Sequence, residues 1–150
     1  MAEVSRGDYS ISTDKDKLDI NVIHGYLSQS CWSEGIPEDV VRKSIKNAWC
    51  FGVYHQDEQI GFARIVTDRC TFAWLADVFI LPEYQGRGLG KWLVSCIVEQ
   101  SELKQVKNFL LATRDAHTLY SRYGFKPLDN SDRFMAIRKK NHYINPKKAE

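Results

Sequence analysis

The stretch Gln85-Gly86-Arg87-Gly88-Leu89-Gly90 decides how the middle of this 150-residue chain folds. It lies between an apolar segment, Val78 to Leu81, and a segment from Leu89 to Ile97 whose apolar residues recur at helical spacing. Glycines permit tight turns with positive φ and let a bound group approach the backbone closely. The order therefore predicts a strand, a glycine-rich turn and a helix whose free N-terminal N–H groups can hold an anion.

Two common phosphate-binding motifs do not fit this stretch. A P-loop requires glycine where the chain has Gln85, and Ser or Thr where it has Trp92. A dinucleotide-binding fingerprint requires a third glycine at the position of Lys91. The pattern that remains, Gln/Arg-x-x-Gly-x-Gly/Ala, resembles the pyrophosphate-binding signature of the GNAT superfamily of acyl-CoA-dependent N-acyltransferases.

A second segment strengthens that resemblance. Residues Ala116 to Phe125 are similar to the family's Ala-x-x-Leu-Tyr-x-x-x-Gly-Phe segment, and they follow the glycine-rich stretch in the family's order. The matching part of the chain runs from about Phe51 to Ile137. The resemblance implies an α/β (α+β) fold with a mixed, mostly antiparallel sheet, helices on both faces and central strands that splay apart.

Residue patterns predict the individual elements. They indicate strands at 9–13, 51–55, 59–66, 72–81, 109–113 and 134–137, and helices at 16–28, from 37 onward, at 89–100 and at 116–123. In the longest strand, alternation places Phe72, Trp74, Val78 and Ile80 on one face, and Leu75, Asp77 and Phe79 on the other. The length predicts one domain over residues 1–150, with a basic tail from about residue 138.

Composition narrows the class of protein. A net charge of +2 is too small to predict a nucleic-acid partner. No apolar run is long enough for a membrane span, and the polar N-terminus lacks a signal-peptide core, so we expect a cytoplasmic protein without a membrane partner. The four cysteines show no C-x-x-C pair and no His partner at metal spacing, which predicts free, mostly buried thiols and no metal.

The resemblance implies acetyl-CoA as the co-substrate. Its pantetheine arm would pair with backbone groups of the strand before the loop, as an added strand does. Its pyrophosphate would bind the loop amides, with Arg87 and Lys91 at the rim, and Thr113 would bond a CoA amide from a position where many relatives have asparagine. The expected cofactor-binding residues are Val78, Phe79, Ile80, Gln85, Gly86, Arg87, Gly88, Leu89, Gly90, Lys91 and Thr113.

Two residues are the expected catalytic groups. Tyr120 matches the family's tyrosine that often protonates the departing thiolate, and its alternative role is an aromatic anchor under the CoA arm. Asp77 is an acidic residue in an apolar strand, where a carboxylate is costly to bury unless it is paired or functional. Related diamine acetyltransferases carry an acidic pair here, but Ala76 fills the first position. Asp77 is therefore a base, an anchor for the substrate ammonium or a structural ion-pair partner.

The acceptor is expected to be a small molecule with a primary amine. Trp32 and Glu34 lie in a loop that, in the family, usually covers the acceptor pocket, and an aromatic ring with a carboxylate suits a cation. An ordinary loop between helices is the alternative for these two residues. The predicted reaction is direct attack of the amine on the thioester, because no cysteine has the neighbouring base that a nucleophile needs.

Two other functions stay open from the sequence. One is acetylation of a protein N-terminus or of lysine, and the other is a non-catalytic module that binds acyl-CoA. The family is commonly dimeric, so a homodimer is among the states that the resemblance implies.

Overall fold

The computed structural model describes residues 3–144, in which six strands form one sheet in chain order. Pairing is antiparallel from β1 to β5, and β6 is parallel to β5. The strands are β1 (Val4–Arg6), β2 (Tyr9–Ser12), β3 (Trp49–His55), β4 (Glu58–Thr67), β5 (Phe72–Ile80) and β6 (Asn108–Leu111). The α-helices are α1 (Ile20–Leu27), α2 (Glu38–Lys46), α3 (Leu89–Val98), α4 (Ser101–Lys104) and α5 (His117–Ser121), and 3-10 turns occupy Lys15–Lys17, Pro82–Tyr84 and Ser131–Arg133.

Helices cover both faces of the sheet, and each face has its own apolar core. On one face, α3 contributes Leu93 and Ile97, which pack with Phe51 of β3. On the other face, α1 contributes Ile23 and α2 contributes Val41. Each fully buried side chain of this size stabilises the fold by roughly 1.5–3 kcal/mol. The mixed, mostly antiparallel sheet with helices on both faces is thus confirmed.

The long strand β5 contains a bulge at Asp77. This residue has a φ of +56°, and the pairing register of β4 with β5 shifts between Phe62 and Arg64. The extra residue reverses the alternation of side chains, so Leu75 and Ile80 pack into the same core while Phe79 packs into the opposite one. The predicted division of this strand into two faces is wrong, because strict alternation assumes a strand without a bulge.

Helix boundaries also differ from those predicted. The stretch 16–28 is not one helix, because α1 begins only after Asp19, whose carboxylate accepts a hydrogen bond from the N–H of Asn21 at 3.0 Å. The predicted helix from 89 to 100 divides into α3 and α4, with Gln100 between them in an extended conformation. The strand β1 was not predicted.

The predicted strand at 134–137 is wrong. Within residues 3–144, the structure records no hydrogen bond for positions 135–140, and Met135 and Ile137 are 97% and 99% exposed. The chain runs instead to the loop between α1 and α2, where Tyr143 packs against the core that α1 and α2 share. The pattern Phe-Met-Ala-Ile favours an extended chain, but here no neighbouring strand pairs with it. Part of the predicted basic tail, residues 145–150, lies outside the described residues.

Two smaller points concern the composition. All four cysteines are free, but only Cys50 is buried; Cys31 and Cys70 are exposed and Cys96 is partly exposed, which corrects the expectation of mostly buried thiols.

No helix within residues 3–144 has the length and apolarity that a membrane span needs.

Candidate active site

The sheet opens between β5 and β6. The two strands pair from Phe72 with Asn108 to Leu75 with Leu111, after which β5 continues to Ile80 without a neighbour on that side among the described residues. A cavity of about 680 Å³ lies at the opening and is bordered by both strands. The predicted splay of the central strands is therefore confirmed, and it leaves a strand edge to which an extended ligand can bind.

Tyr120 lines this cavity from α5. Its side chain is 9% exposed and packs edge-on against Phe125, with ring centroids 5.9 Å apart. Within the described chain the structure records no hydrogen bond for its hydroxyl, and burial raises its pKa above the ordinary value of a phenol. Tyr120 is thus a protonated donor at neutral pH that faces the cavity without a competing partner.

Thr113 also lines the cavity, just before α5. Its Oγ1 accepts a hydrogen bond from the N–H of Ala116 at 3.0 Å, which stabilises the start of the turn that leads into the helix. The hydroxyl hydrogen stays available for a donor bond to a ligand. Thr113 and Tyr120 thus line the same cavity as residues 74–78 of β5.

The glycine-rich stretch forms a turn whose backbone donors are unoccupied. Gly86 and Gly88 have φ values of +81° and +77°, and Gly88 is the N-cap of α3. Among the described residues, no acceptor is recorded for the N–H groups of positions 86–91. Since side chains rarely adopt such positive φ, glycine is required at both positions. The turn and the first turn of α3 present consecutive N–H groups that an anion can accept.

Several side chains of the stretch already have partners. Gln85 Nε2 donates to the carbonyl of Ile80 at 2.9 Å, which fixes the end of β5. Arg87 donates to the Tyr9 hydroxyl at 2.9 Å and lies over the ring of Tyr84. Leu89 is buried in the core. Of the two predicted rim cations, Lys91 is the one whose ammonium has no recorded partner within residues 3–144.

Asp77 joins three elements beside the cavity. Its Oδ1 accepts a hydrogen bond from Trp32 Nε1 at 3.0 Å, and its Oδ2 accepts one from Arg64 Nε at 2.8 Å. The Asp77 side chain is 9% exposed and that of Arg64 is 20% exposed. The bulge at Asp77 turns its carboxylate toward both partners. One ion pair and one indole hydrogen bond consequently link three elements at this point: strand β4, strand β5 and the loop that follows α1.

The two predicted acceptor residues lie in adjoining cavities. Trp32 lines the cavity of Asp77 and Tyr120, whereas Glu34 lines a second cavity of about 340 Å³ between the loop after α1 and residues 137–144. The two cavities share Cys31, Trp32 and Arg138. Val78 borders the first cavity, whereas Phe79 and Ile80 are buried and do not line it.

Sequence reasoning missed some polar residues at the site. Arg64 was not predicted, although its place opposite Ala76 in the β4–β5 pair follows from hairpin pairing. Arg114, Asp115 and Arg138 also line the cavity. The first two directly precede the segment that begins at Ala116, which is a local signal for them. Across residues 3–144, no group of three or more His, Cys, Asp or Glu side chains is placed to hold a metal ion.

The fold and the site define an α+β protein whose sheet is splayed and in which a glycine-rich turn and the N-terminus of α3 follow the long strand β5. Residues 46–127 match the model of the acetyltransferase (GNAT) domain. The Gibberella zeae protein named "Putative acetyltransferase FG08082" is 31% identical, over 89% of this chain and 88% of its own. A Xanthomonas campestris structure assigned to the GNAT family is 40% identical with a TM-score of 0.89, covering 91% of this chain and 97% of that one.

A more distant structure shares the fold. It is a GNAT family acetyltransferase from Elizabethkingia anophelis with acetyl-CoA bound, at 16% identity and a TM-score of 0.63, covering 83% of this chain and 80% of that one. Given the family model and the first two relatives, the chain belongs to the GNAT family of acetyltransferases.

Proposed function

We propose that this protein transfers the acetyl group of acetyl-CoA to a primary amine by direct attack of the amine on the thioester. The observation that carries the proposal is the opening between β5 and β6, with an unpaired strand edge on one side and Tyr120 on the other. Acetyl-CoA bound to the related fold from Elizabethkingia anophelis supports the choice of donor.

The donor would bind mainly to backbone. Its pantetheine arm would extend along the free edge at Val78 and Phe79, and its pyrophosphate would accept hydrogen bonds from the N–H groups of residues 86–91. A helix N-terminus contributes only about 0.3–1 kcal/mol per exposed charge, so the affinity depends on several aligned donors acting together. Lys91 adds a cation at the rim, and Thr113 donates its hydroxyl hydrogen to a CoA amide.

The reaction moves two protons. An amine with a pKa of about 10.4 is protonated at pH 7, and exposing its lone pair costs roughly 4–5 kcal/mol. Once neutral, the nitrogen attacks the thioester carbonyl and the C–S bond breaks. The thiolate accepts the hydroxyl proton of Tyr120, and the second proton that the acylated nitrogen releases reprotonates Tyr120 through solvent. The raised pKa of Tyr120 keeps that proton in place until the thiolate forms.

Asp77 serves in this proposal as the anchor for the substrate ammonium. Both of its oxygens already accept hydrogen bonds, and a proton on the carboxylate would weaken its ion pair with Arg64. A carboxylate oxygen has a second lone pair, so each can still accept a bond from an ammonium group. Asp77 thus draws the acceptor to the cavity and positions Trp32, while the amine proton leaves to solvent.

The acceptor class that fits best is a small amine. The loop with Trp32 borders both cavities, residues 137–144 border the smaller one, and Glu34 adds a further carboxylate there. A small cation can be held beside the Trp32–Asp77 pair, by the charge of the carboxylate and by the aromatic ring.

Release of free thiol from acetyl-CoA, measured with a panel of small amines and of peptides with free N-termini, tests this function. Turnover with small amines supports the proposal, and preferential turnover of peptides replaces the acceptor class. Tight CoA binding without turnover on any acceptor contradicts the enzyme assignment and leaves a binding module. Parallel titration with CoA separates failure of the acceptor from failure of the donor site.

A further inference from the structure

Arg138 lies where the two cavities of the site adjoin, and no ion pair is recorded for it among the described residues. We infer that the amine acceptor also carries a carboxylate, and that Arg138 binds this carboxylate. The assignment rests on the proposed function, because it names the class of acceptor for the same site. The acceptor is then an amino acid, and not a simple alkylamine or a diamine.

The guanidinium of Arg138 borders both cavities and is available to an anion. Arg138 lines the larger cavity together with Asp77, and it lines the smaller one together with Glu34. Within residues 3–144 no side-chain hydrogen bond is recorded for Arg138, whereas the guanidinium of Arg64 is paired with Asp77 at 2.8 Å. A guanidinium presents several N–H donors in a planar fork that matches the two oxygens of a carboxylate. Arg138 therefore offers its whole fork to a ligand.

The charges around the larger cavity favour a ligand that carries both signs of charge. Arg64 compensates the charge of Asp77. The other charged residues that line this cavity are Arg114, Asp115 and Arg138, so positive charge is in excess. An amine whose only charge is its ammonium group would enter against that excess, whereas a carboxylate on the same molecule offsets it.

The smaller cavity has a similar excess of positive charge. Lys139 and His142 line it beside Arg138, and Glu34 is the one acidic residue among the described residues that do so. Although Glu34 and Arg138 border the same cavity, no ion pair between them is recorded within residues 3–144. Lys139 offsets the charge of Glu34, and the guanidinium of Arg138 stays available to a carboxylate.

Trp32 connects the two ends of such a ligand. Its indole Nε1 donates to Asp77 at 3.0 Å, and the residue lines both cavities. An amino acid in contact with Trp32 thus shares one cavity with a carboxylate for its ammonium group, Asp77, and a guanidinium for its own carboxylate, Arg138. Cavities of roughly 300–1,000 Å³ are typical for small ligands. The two volumes, about 340 Å³ and 680 Å³, lie in that range.

The pyrophosphate of the donor does not account for this guanidinium. Among the described residues, none from 85 to 91 lines either cavity, so Arg138 and the glycine-rich turn belong to different parts of the site. An anion at Arg138 is accordingly not the group that the turn would hold, and the acceptor is the molecule that supplies it.

A matched series of acceptors tests this assignment. Each set contains an amino acid, its carboxamide, and the alkylamine and the diamine of the same chain length, for both α- and ω-amino acids. Thiol release at saturating acetyl-CoA gives kcat/KM for each compound. We expect the amino acid to exceed its carboxamide by about tenfold, because hydrogen bonds between charged groups are stronger than those to a neutral amide. Equal values within each set, or a preference for the diamine, overturn the assignment.

Arg138→Gln should abolish the preference for the acid. Arg138 is exposed and has no recorded partner within residues 3–144, so its replacement leaves the fold intact. The values of kcat/KM for the amino acid and its carboxamide should become nearly equal, mainly through a higher KM for the amino acid. Arg138→Glu should reverse the order, so that the diamine exceeds the amino acid. Arg133→Gln removes the same charge from an exposed arginine that lines neither cavity, and it should keep the wild-type preference.

Binding to the CoA complex separates this assignment from the proposed function. CoA carries no acetyl group, so its complex binds an acceptor without reaction, and calorimetric titration gives the affinity for the amino acid. If no amine is turned over but the amino acid binds, about tenfold more weakly in Arg138→Gln, the transferase proposal fails and the carboxylate site stands. If amines are turned over without a preference for the acid, transfer stands and the carboxylate site fails. Absence of amino-acid binding, or equal binding to the wild type and to Arg138→Gln, also overturns the role of Arg138.

Discussion

The proposed donor site presents backbone groups, and the proposed acceptor site presents linked side chains. On the proposed donor side, two glycines with positive φ form the turn, and the N–H groups of residues 86–91 have no recorded acceptor among the described residues. On the acceptor side, Asp77 holds Trp32 and Arg64 through its two oxygens. Ligand binding to backbone groups should depend on the conformation of the turn and little on any single side chain. Ligand binding to linked side chains should depend on each member of the network.

Among the variants considered, Gly88→Glu is expected to have the largest effect, a loss of CoA affinity. The new carboxylate would meet the pyrophosphate, and like charges about 4 Å apart cost about 4 kcal/mol at an effective dielectric constant near 20. We therefore expect CoA affinity to fall by at least about 100-fold, as measured by calorimetric titration.

Gly7→Glu is the matched control for that change. Gly7 also has a positive φ, +59°, and an added Cβ would meet nothing within 4 Å at either glycine. Both variants should lose about 1–3 kcal/mol of stability from backbone strain, but only Gly88→Glu should lose CoA binding. Equal loss of CoA binding in the two variants would show that instability, and not the turn, explains the effect.

Tyr120→Phe tests the proton donor between the two sides. We expect kcat to fall by about 100-fold, at the low end of general acid catalysis, because a thiolate is a fairly good leaving group. CoA affinity should not change, since the phenyl ring keeps the packing with Phe125.

The pH profile gives a second measure of this residue. The raised pKa of Tyr120 keeps its hydroxyl protonated from neutral pH to beyond its ordinary value of about 10, so its donor role is lost only as the pH rises through the raised pKa. The wild-type rate should accordingly show no loss of this donor between about pH 7 and 9. An unchanged kcat in Tyr120→Phe would remove the acid role and leave an aromatic anchor.

Asp77→Asn should act on the acceptor side alone. The amide oxygen can still accept from Trp32, but Arg64 loses its ion pair and the substrate ammonium loses its anchor. We expect KM for the amine to rise by about tenfold, equivalent to about 1.4 kcal/mol, with CoA affinity unchanged. Steady-state kinetics at saturating acetyl-CoA measure this.

The same variant distinguishes an anchor from a base. If Asp77 were the general base, its loss would lower kcat at saturating amine and would be compensated by raising the pH. Trp32→Phe, which removes the indole donor and keeps an aromatic ring, is the companion control. It should raise KM less than Asp77→Asn does.

The difference between the two sides also explains what the sequence could predict. The strand, turn and helix around Gly88 are encoded within a few consecutive residues, so their structure could be predicted locally. The acceptor side depends on the bulge at Asp77, which aligns that carboxylate with Arg64 thirteen positions away. No local pattern signals the bulge, and strict alternation led to the wrong faces for β5.

The segment 134–137 shows a different limit. Its residues favour an extended backbone, and on that basis a strand was predicted. A strand also needs a partner, and among the described residues no strand pairs with this segment, while Tyr143 beyond it packs against the core of α1 and α2. Intrinsic propensity indicates the conformation of a segment, but it does not indicate which edge pairs with it.

Arg87→Ala is expected to have the smallest effect on CoA affinity. It tests whether the pyrophosphate is bound mainly by backbone groups. Arg87 is exposed and already donates to the Tyr9 hydroxyl, so an approaching pyrophosphate would have to compete with that bond. An exposed charge of this kind contributes about 0.3–1 kcal/mol, which corresponds to less than about fivefold in CoA affinity. Lys91→Ala, which removes a cation without a recorded partner among the described residues, should weaken CoA binding more than Arg87→Ala does. If Arg87→Ala instead reduces CoA affinity as much as Gly88→Glu, then the side chain leaves Tyr9 to bind the cofactor and the donor side depends on charge as much as on backbone.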